Sequence, residues 1–209
     1  MADYWFRYHV AKAVIAAILF VVLVALGILL WRAFLAAGDL AVGRRAALAS
    51  GGVLATMLAL LSLAAVMANV QGAVSPFASL LSMLPVGEAD GELADTLGQV
   101  RQGLADPPTG SGQAPPALDV MISDFARYHL AMAVIAVVVA AVLIGASVVL
   151  WKRFAGTRSS DRRTRRVLGA FGVFSALVAV LVIVVAAANA STAADPEPAL
   201  LASLDGGLL

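Results

Sequence analysis

No cysteine occurs among the 209 residues, so disulfides and every thiolate metal or redox site are excluded. Histidine is nearly as scarce, with two copies, and charged residues make up 13% of the chain. A soluble domain carries about a quarter charged residues; this chain is 62% hydrophobic instead, which excludes a water-soluble globule. Nucleophile elbow, H-E-x-x-H and phosphate-cradling glycine loop are all missing, and neither histidine has a carboxylate at relay spacing. No enzymatic activity is expected.

Four apolar runs account for the composition: Ala13 to Trp31, Ala46 to Val70, Leu130 to Leu150 and Val167 to Ala188. Each is long enough to cross a hydrocarbon core of about 30 Å as a helix. Helices are expected because lipid offers backbone amides no partner, and the strict alternation of a membrane barrel is absent. No Asp, Glu or Pro interrupts any of the four runs. The first run is expected to be retained, because it is long for a signal peptide and "WRAF" follows it in place of small cleavage-site residues.

Charge sets the expected orientation. Ten of the fourteen Lys and Arg residues fall in two short loops, three across residues 32–45 and seven across residues 152–166. The positive-inside bias makes both loops cytoplasmic, with the termini and the 70–128 connection external. The basic loops are expected to meet anionic lipid headgroups and not nucleic acid. Ala, Val and Gly-heavy composition with short loops points to a bacterial plasma membrane.

Shifting the chain against itself by 120 residues aligns "RYH" at Arg7 with "RYH" at Arg127, "AVIA" at Ala13 with "AVIA" at Ala133, "LW" at Leu30 with "LW" at Leu150, and "AN" at Ala68 with "AN" at Ala188. Matches among Ala, Val and Leu carry little weight in a membrane protein; those at Arg, Tyr, His, Trp and Asn hold the register. The expectation is an all-α integral membrane protein of four transmembrane helices. Two tandem helical hairpins, residues 1–89 and 121–209, would insert in parallel and form a pseudo-twofold bundle. Residues 90–120 would supply an amphipathic external helix followed by a Pro and Gly-rich linker. On that helix Leu93, Leu97, Val100 and Leu104 share one face and are candidates to meet a partner. "PFASLLSML" and "PALLASL" are expected as short interfacial helices, each begun near a proline.

Both Arg-Tyr-His motifs stand at the outer ends of spans, with Trp31 and Trp151 at the inner ends. Tyr8 and Trp31 are 23 residues apart, or about 35 Å along a helix. Trp5, Trp31, Phe34, Trp151 and Phe154 read as interfacial anchors, with Tyr8 and Tyr128 in the outer belt and Arg7 and Arg127 reaching phosphates. His9 shares a helical face with Ala13 and Ala16, and His129 with Ala133 and Ala136; small residues mark the face on which helices approach. Asn69 and Asn189 lie at the same depth. His9, His129, Asn69 and Asn189 therefore form a candidate interhelical polar cluster, and its bland role is to fix helix rotation. Its sharper role is a ligand site for haem, quinone or a lipid headgroup. A metal site is not expected, since a third strong ligand is missing, and no cofactor is otherwise expected. On the second and fourth spans, Gly51, Ala55 and Ala59, and Gly172, Ala176 and Val180, read as packing faces.

These features favour a non-enzymatic accessory, assembly or scaffolding subunit that docks on another membrane protein or on itself. The alternative is a small passive pore or lipid or solute transporter acting as a homo-oligomer, with Thr56, Ser62, Ser147 and Ser175 as its polar lining.

Overall fold

The computed structural model describes residues 2–37, 42–81, 83, 90–105 and 116–205. Among these residues the chain is all helix and turn, with no strand. The helices are α1 (Ala2–Ala36), α2 (Val42–Val74), α3 (Pro76–Leu81), α4 (Gly91–Ala105), α5 (Pro116–Gly156), α6 (Arg162–Ala194) and α7 (Glu197–Leu204). Helices α1, α2, α5 and α6 are each long and apolar enough to cross a membrane. Each contains one of the apolar runs and continues beyond it. At 33 residues, α2 is roughly 50 Å long.

Prolines set the helix breaks. Pro76 has no N–H to give and restricts the residue before it; α2 stops at Val74, and α3 starts on Pro76 as its first residue. Pro196 separates α6 from α7 in the same way. Asp161 starts α6 by accepting the Thr164 backbone N–H at 3.0 Å, an N-cap contact. Gly91 opens α4 with φ +57, a backbone region that glycine enters without a Cβ penalty. By composition, residues 116–119 belong with the linker; in the structure they form the first turn of α5. The linker residues 106–115 and the tail residues 82, 84–89 and 206–209 lie outside the described residues.

Two compact units divide the chain, and α1, α2, α5 and α6 contribute to both. The first comprises Met1–His9, Val70–Val134 and Val185–Leu209. Its core is built by the short helices: Ala78 and Leu81 of α3, Leu97 and Leu104 of α4, and Leu200 and Leu204 of α7 pack with Phe125 of α5. Leu97 and Leu104 are two turns apart on one face, and α4 packs on α7. Arg101 on α4 donates to the Leu204 carbonyl and pairs with Asp205 at 2.9 Å, tying the end of α7 to α4. Asp124 of α5, 9% exposed, accepts the Ala78 N–H at 2.9 Å. A side chain 46 residues away thus satisfies an amide in the first turn of α3, where no intrahelical acceptor exists.

The face of α4 expected to meet a partner is therefore taken up inside the chain. Leu97 and Leu104 are buried, and Val100 packs half-buried against the same core. The side chain of Leu93 lies outside the described residues. An amphipathic helix next to membrane spans offers the same apolar stripe to lipid, a partner or its own chain; here α3, α5 and α7 cover it.

The second unit comprises Val10–Asn69 and Ile135–Val184 and holds the apolar bulk of the long helices. Small residues allow its helices to approach. A Cβ on Gly27 would meet the Ala55 methyl at 3.8 Å, and Ser147 of α5 donates to the Gly172 carbonyl of α6 at 2.9 Å. The expected α2 face holds, with Ala55 and Ala59 buried and Gly51 against Leu30. On α6 it shifts: Ala176 and Val180 are exposed, while Gly172, Ala179 and Ala186 are buried. A seven-residue step covers two helical turns, so the inward stripe follows 172, 179 and 186 and leaves a strict four-residue ladder. Outward residues are large and apolar, with Ile15 66%, Leu61 65% and Val142 67% exposed. Patches of that kind are not left facing water. The four long helices and their apolar exteriors give a membrane protein.

Candidate functional site at the Arg-Tyr-His motifs

Of the eight candidate site residues, the two Arg-Tyr-His motifs with Asn69 and Asn189, all but Asn69 fall in the first unit. Within each motif the side chains diverge. Arg7 pairs with Asp3, one turn earlier, at 3.2 Å, with both side chains 76% exposed. Arg127 pairs with Asp124 at 3.6 Å and also points outward. The arginines thus turn away from the histidines, as residues two apart on a helix must.

His9 and His129 sit half-buried among aromatic rings. His9 meets Trp5 edge-on with centroids 5.1 Å apart and Tyr8 at 5.6 Å. His129 meets Phe125 at 4.7 Å and Tyr128 at 5.4 Å. Below these, Ala16, Ala133 and Ala136 are buried and Ala13 is half-buried, so both histidines share the packed face of their helix. Trp5 donates its indole N–H to Ser79 Oγ of α3 at 2.6 Å, and Gln71 of α2 donates to the Tyr128 carbonyl at 3.2 Å. Trp5 and Tyr128, expected in an outer belt, are thereby fastened to the protein and half-buried, with Tyr128 packed against the core of the first unit.

Three ring-on-glycine packings are not legible in the motifs. His9 lies flat on Gly72 of α2: a Cβ there would stand 2.7 Å from His9 Cε1. Only glycine leaves room for the imidazole. In the second unit, Trp31 and Trp151 use glycines in the same way, since a Cβ on Gly52 would be 2.8 Å from Trp31 and one on Gly172 3.0 Å from Trp151. Trp31 also donates to Thr56 Oγ1 at 3.4 Å and stacks edge-on with Phe34 and Phe171; Trp151 does so with Phe154. The available signal was glycine on the facing helix at the depth of a large ring.

His129 has defined chemistry. Its Nδ1 is 2.9 Å from Asn189 Oδ1, and Asn189 Nδ2 donates to the Val185 carbonyl at 2.9 Å. With the amide oriented this way, its oxygen accepts and His129 Nδ1 carries the proton. Neutral imidazole then holds a bare lone pair on Nε2, an atom that is buried and has no hydrogen-bond partner among the described residues. Such a nitrogen can accept a hydrogen bond from a ligand or coordinate a metal. Asn69, in the second unit, donates to the Ala65 carbonyl at 2.7 Å, the same i to i−4 bond that Asn189 makes. No group of three or more His, Cys, Asp or Glu suited to a metal ion occurs among the described residues.

Three of the four candidate pore hydroxyls are engaged with backbone. Thr56 donates to Gly52 O, Ser62 to Leu58 O and Ser147 to Gly172 O. Compared with protein-family models, with curated proteins and with solved structures, the chain matches none.

Proposed function

We propose that the chain is a non-enzymatic accessory or assembly subunit that docks on another protein within the bilayer. The observation that carries this reading is an outward step on α5. Ala141 and Gly145 are exposed, four residues apart, and a Cβ on Gly145 would meet nothing within 4 Å. Small residues one turn apart let a second helix come close enough for backbone packing, which drives association in lipid. Large side chains fill the lipid-facing positions around them, including Val137, Val138 and Val142. The engagement of Thr56, Ser62 and Ser147 by backbone carbonyls counts against a polar pore.

The reading includes a duplicated hairpin. Helices α1 and α5 end 120 residues apart, and α2 and α6 match at both ends with the same offset. The aromatic neighbours of His9 recur at His129, and the Trp31 and Gly52 pairing recurs at Trp151 and Gly172. A parallel pseudo-twofold arrangement in a bacterial plasma membrane, with residues 32–45 and 152–166 cytoplasmic, fits this offset and the basic loops.

The test is a photocrosslinking residue at Gly145 in native membranes, with Ala176 as a second outward position. Docking predicts one discrete heteromeric product from Gly145, lost when Ala141 is changed to Leu. Only diffuse lipid adducts from both positions would sink it. A second reading rests on the bare His129 Nε2: a haem or quinone held there predicts an absorption band or bound mass that His129→Ala abolishes. A band that persists in the variant dismisses that site.

A further inference from the structure

In the second unit, the last turn of α5 and the first turns of α6 border an open surface cleft of about 380 Å³, within the roughly 300–1,000 Å³ range of ligand sites. Arg162, Arg165 and Arg166 line it together with Trp151, Phe154 and Val173. Because 162, 166, 169 and 173 follow one face of α6, the wall passes along that helix from guanidinium to bare backbone at Gly169 to apolar side chain. The cleft lies where two candidate membrane spans end, at Gly156 and Arg162. That is headgroup depth whichever way the chain inserts.

Among the described residues the arginines are not neutralised. Among the described residues no carboxylate pairs with Arg162, Arg165 or Arg166. Asp161, the nearest acid in sequence, gives its carboxylate to Thr164. Arg165 is held in place: its NH1 group donates to the Thr157 and Phe154 carbonyls at 3.1 and 3.4 Å, and its guanidinium lies 4.3 Å over the Phe154 ring. This closes the α5 C-terminus and leaves Nε and NH2 of a fixed fork for an anion.

We infer that this cleft is a binding site for an anionic phospholipid, with the headgroup phosphate on Arg162, Arg165 and Arg166 and an acyl chain along Val173 and Trp151. The chemistry is that of basic interhelical pockets that take lipid phosphates. A comparator lies in the same unit: Phe34, Arg45, Ala49 and Arg163 line a second cleft, with Val42 and Ala46 standing 120 residues before Arg162 and Arg166. Arg163 is drawn there to the Ala37 carbonyl at 3.2 Å. That cleft has the same aromatic floor with two arginines to the first cleft's three, one of them drawn to a backbone carbonyl, so the first gathers the denser positive charge.

The test is native mass spectrometry of the full chain in detergent, titrated with phosphatidylglycerol, with phosphatidylcholine, and with inorganic phosphate. The site predicts a retained phosphatidylglycerol adduct that neither of the others forms or displaces. Arg162→Gln with Arg166→Gln should weaken it roughly thirtyfold, at about a factor of five per arginine near a lipid phosphate. Lys152→Gln with Arg158→Gln removes equal charge outside the cleft and should leave binding unchanged. Gly169→Leu fills the cleft without removing charge and should also abolish the adduct; its Cβ would meet Phe154 at an ordinary 3.4 Å. Equal losses in the two charge pairs would reduce the effect to general attraction and overturn the site. Equal retention of the two lipids, or displacement by inorganic phosphate, would overturn it as well.

Discussion

His129 and Asn189 form a directed pair: the asparagine amide is anchored through Nδ2 to its own helix at Val185, and its oxygen receives the His129 Nδ1 proton at 2.9 Å. For the neutral imidazole one tautomer follows, with Nε2 bare. Nitrogen-15 spectra of histidine-labelled protein should show a protonated Nδ1 at His129. Asn189→Leu should release that preference and lower stability by about 0.5–1.5 kcal/mol, the ordinary worth of such a bond. A neutral His129 that carries its proton on Nε2 instead of Nδ1 would refute the geometry.

The contact between His9 and Gly72 gives a steric prediction. Gly72→Ala places a methyl 2.7–2.9 Å from three atoms of the imidazole, so the ring or α2 must move. Thermal unfolding should show a loss of about 1–3 kcal/mol, the range for overpacking. Gly98→Ala on α4, where a Cβ meets nothing, should instead be neutral or stabilising by up to about 1 kcal/mol. Equal tolerance at both positions would argue against the ring stacking on Gly72.

The core shared by α3, α4, α5 and α7 should behave as an intramolecular structure. Leu104→Ala is expected to lose about 2–5 kcal/mol as a buried leucine truncation, and Asp124→Ala about 1–2 kcal/mol as a lost helix cap. Limited proteolysis within α4 should accelerate in both. Exposed Gln99→Ala and Asp119→Ala serve as controls that change nothing. Protection unaffected by Leu104→Ala would mean that α4 does not pack on this core.

Asp161 gives a pH dependence. The Thr164 side chain, then its backbone N–H, hold the Asp161 carboxyl below its ordinary value. Its folded value is depressed, so the capping contribution is fully present above the unfolded carboxylate range and is lost as pH falls through the lowered folded value. Amide exchange in the first turn of α6 should rise over that acidic window. Asp161→Asn keeps an acceptor and should remove the pH dependence; an unchanged profile in that variant would exclude Asp161 as its source.

Much of the fold was legible because the bilayer admits few solutions: four uncharged apolar runs of sufficient length leave helices as the only economical reading. The face carrying His9 and His129 was legible from Ala16, Ala133 and Ala136, since small residues mark close approach. The destination of an apolar stripe was not. Leu97 and Leu104 have the same pattern whether they cover lipid, a partner or their own chain, and only the tertiary structure pairs them with Leu200 and Leu204. The cap that Asp124 supplies to Ala78 joins residues far apart in sequence, and the seat of His9 on Gly72 depends on the rotation of α2. Neither is written in a local spacing. In the sequence the cleft arginines give an orientation signal, and their gathering beside Trp151 depends on how α5 turns into α6.

We propose that this four-helix membrane protein acts by docking on another protein. Gentle extraction from the native membrane followed by an intact-complex mass tests it most directly. Docking predicts a stable heteromer with a second polypeptide in defined ratio, and its loss in the Ala141→Leu variant. A bare monomer or homo-oligomer, unchanged by that substitution, would contradict it.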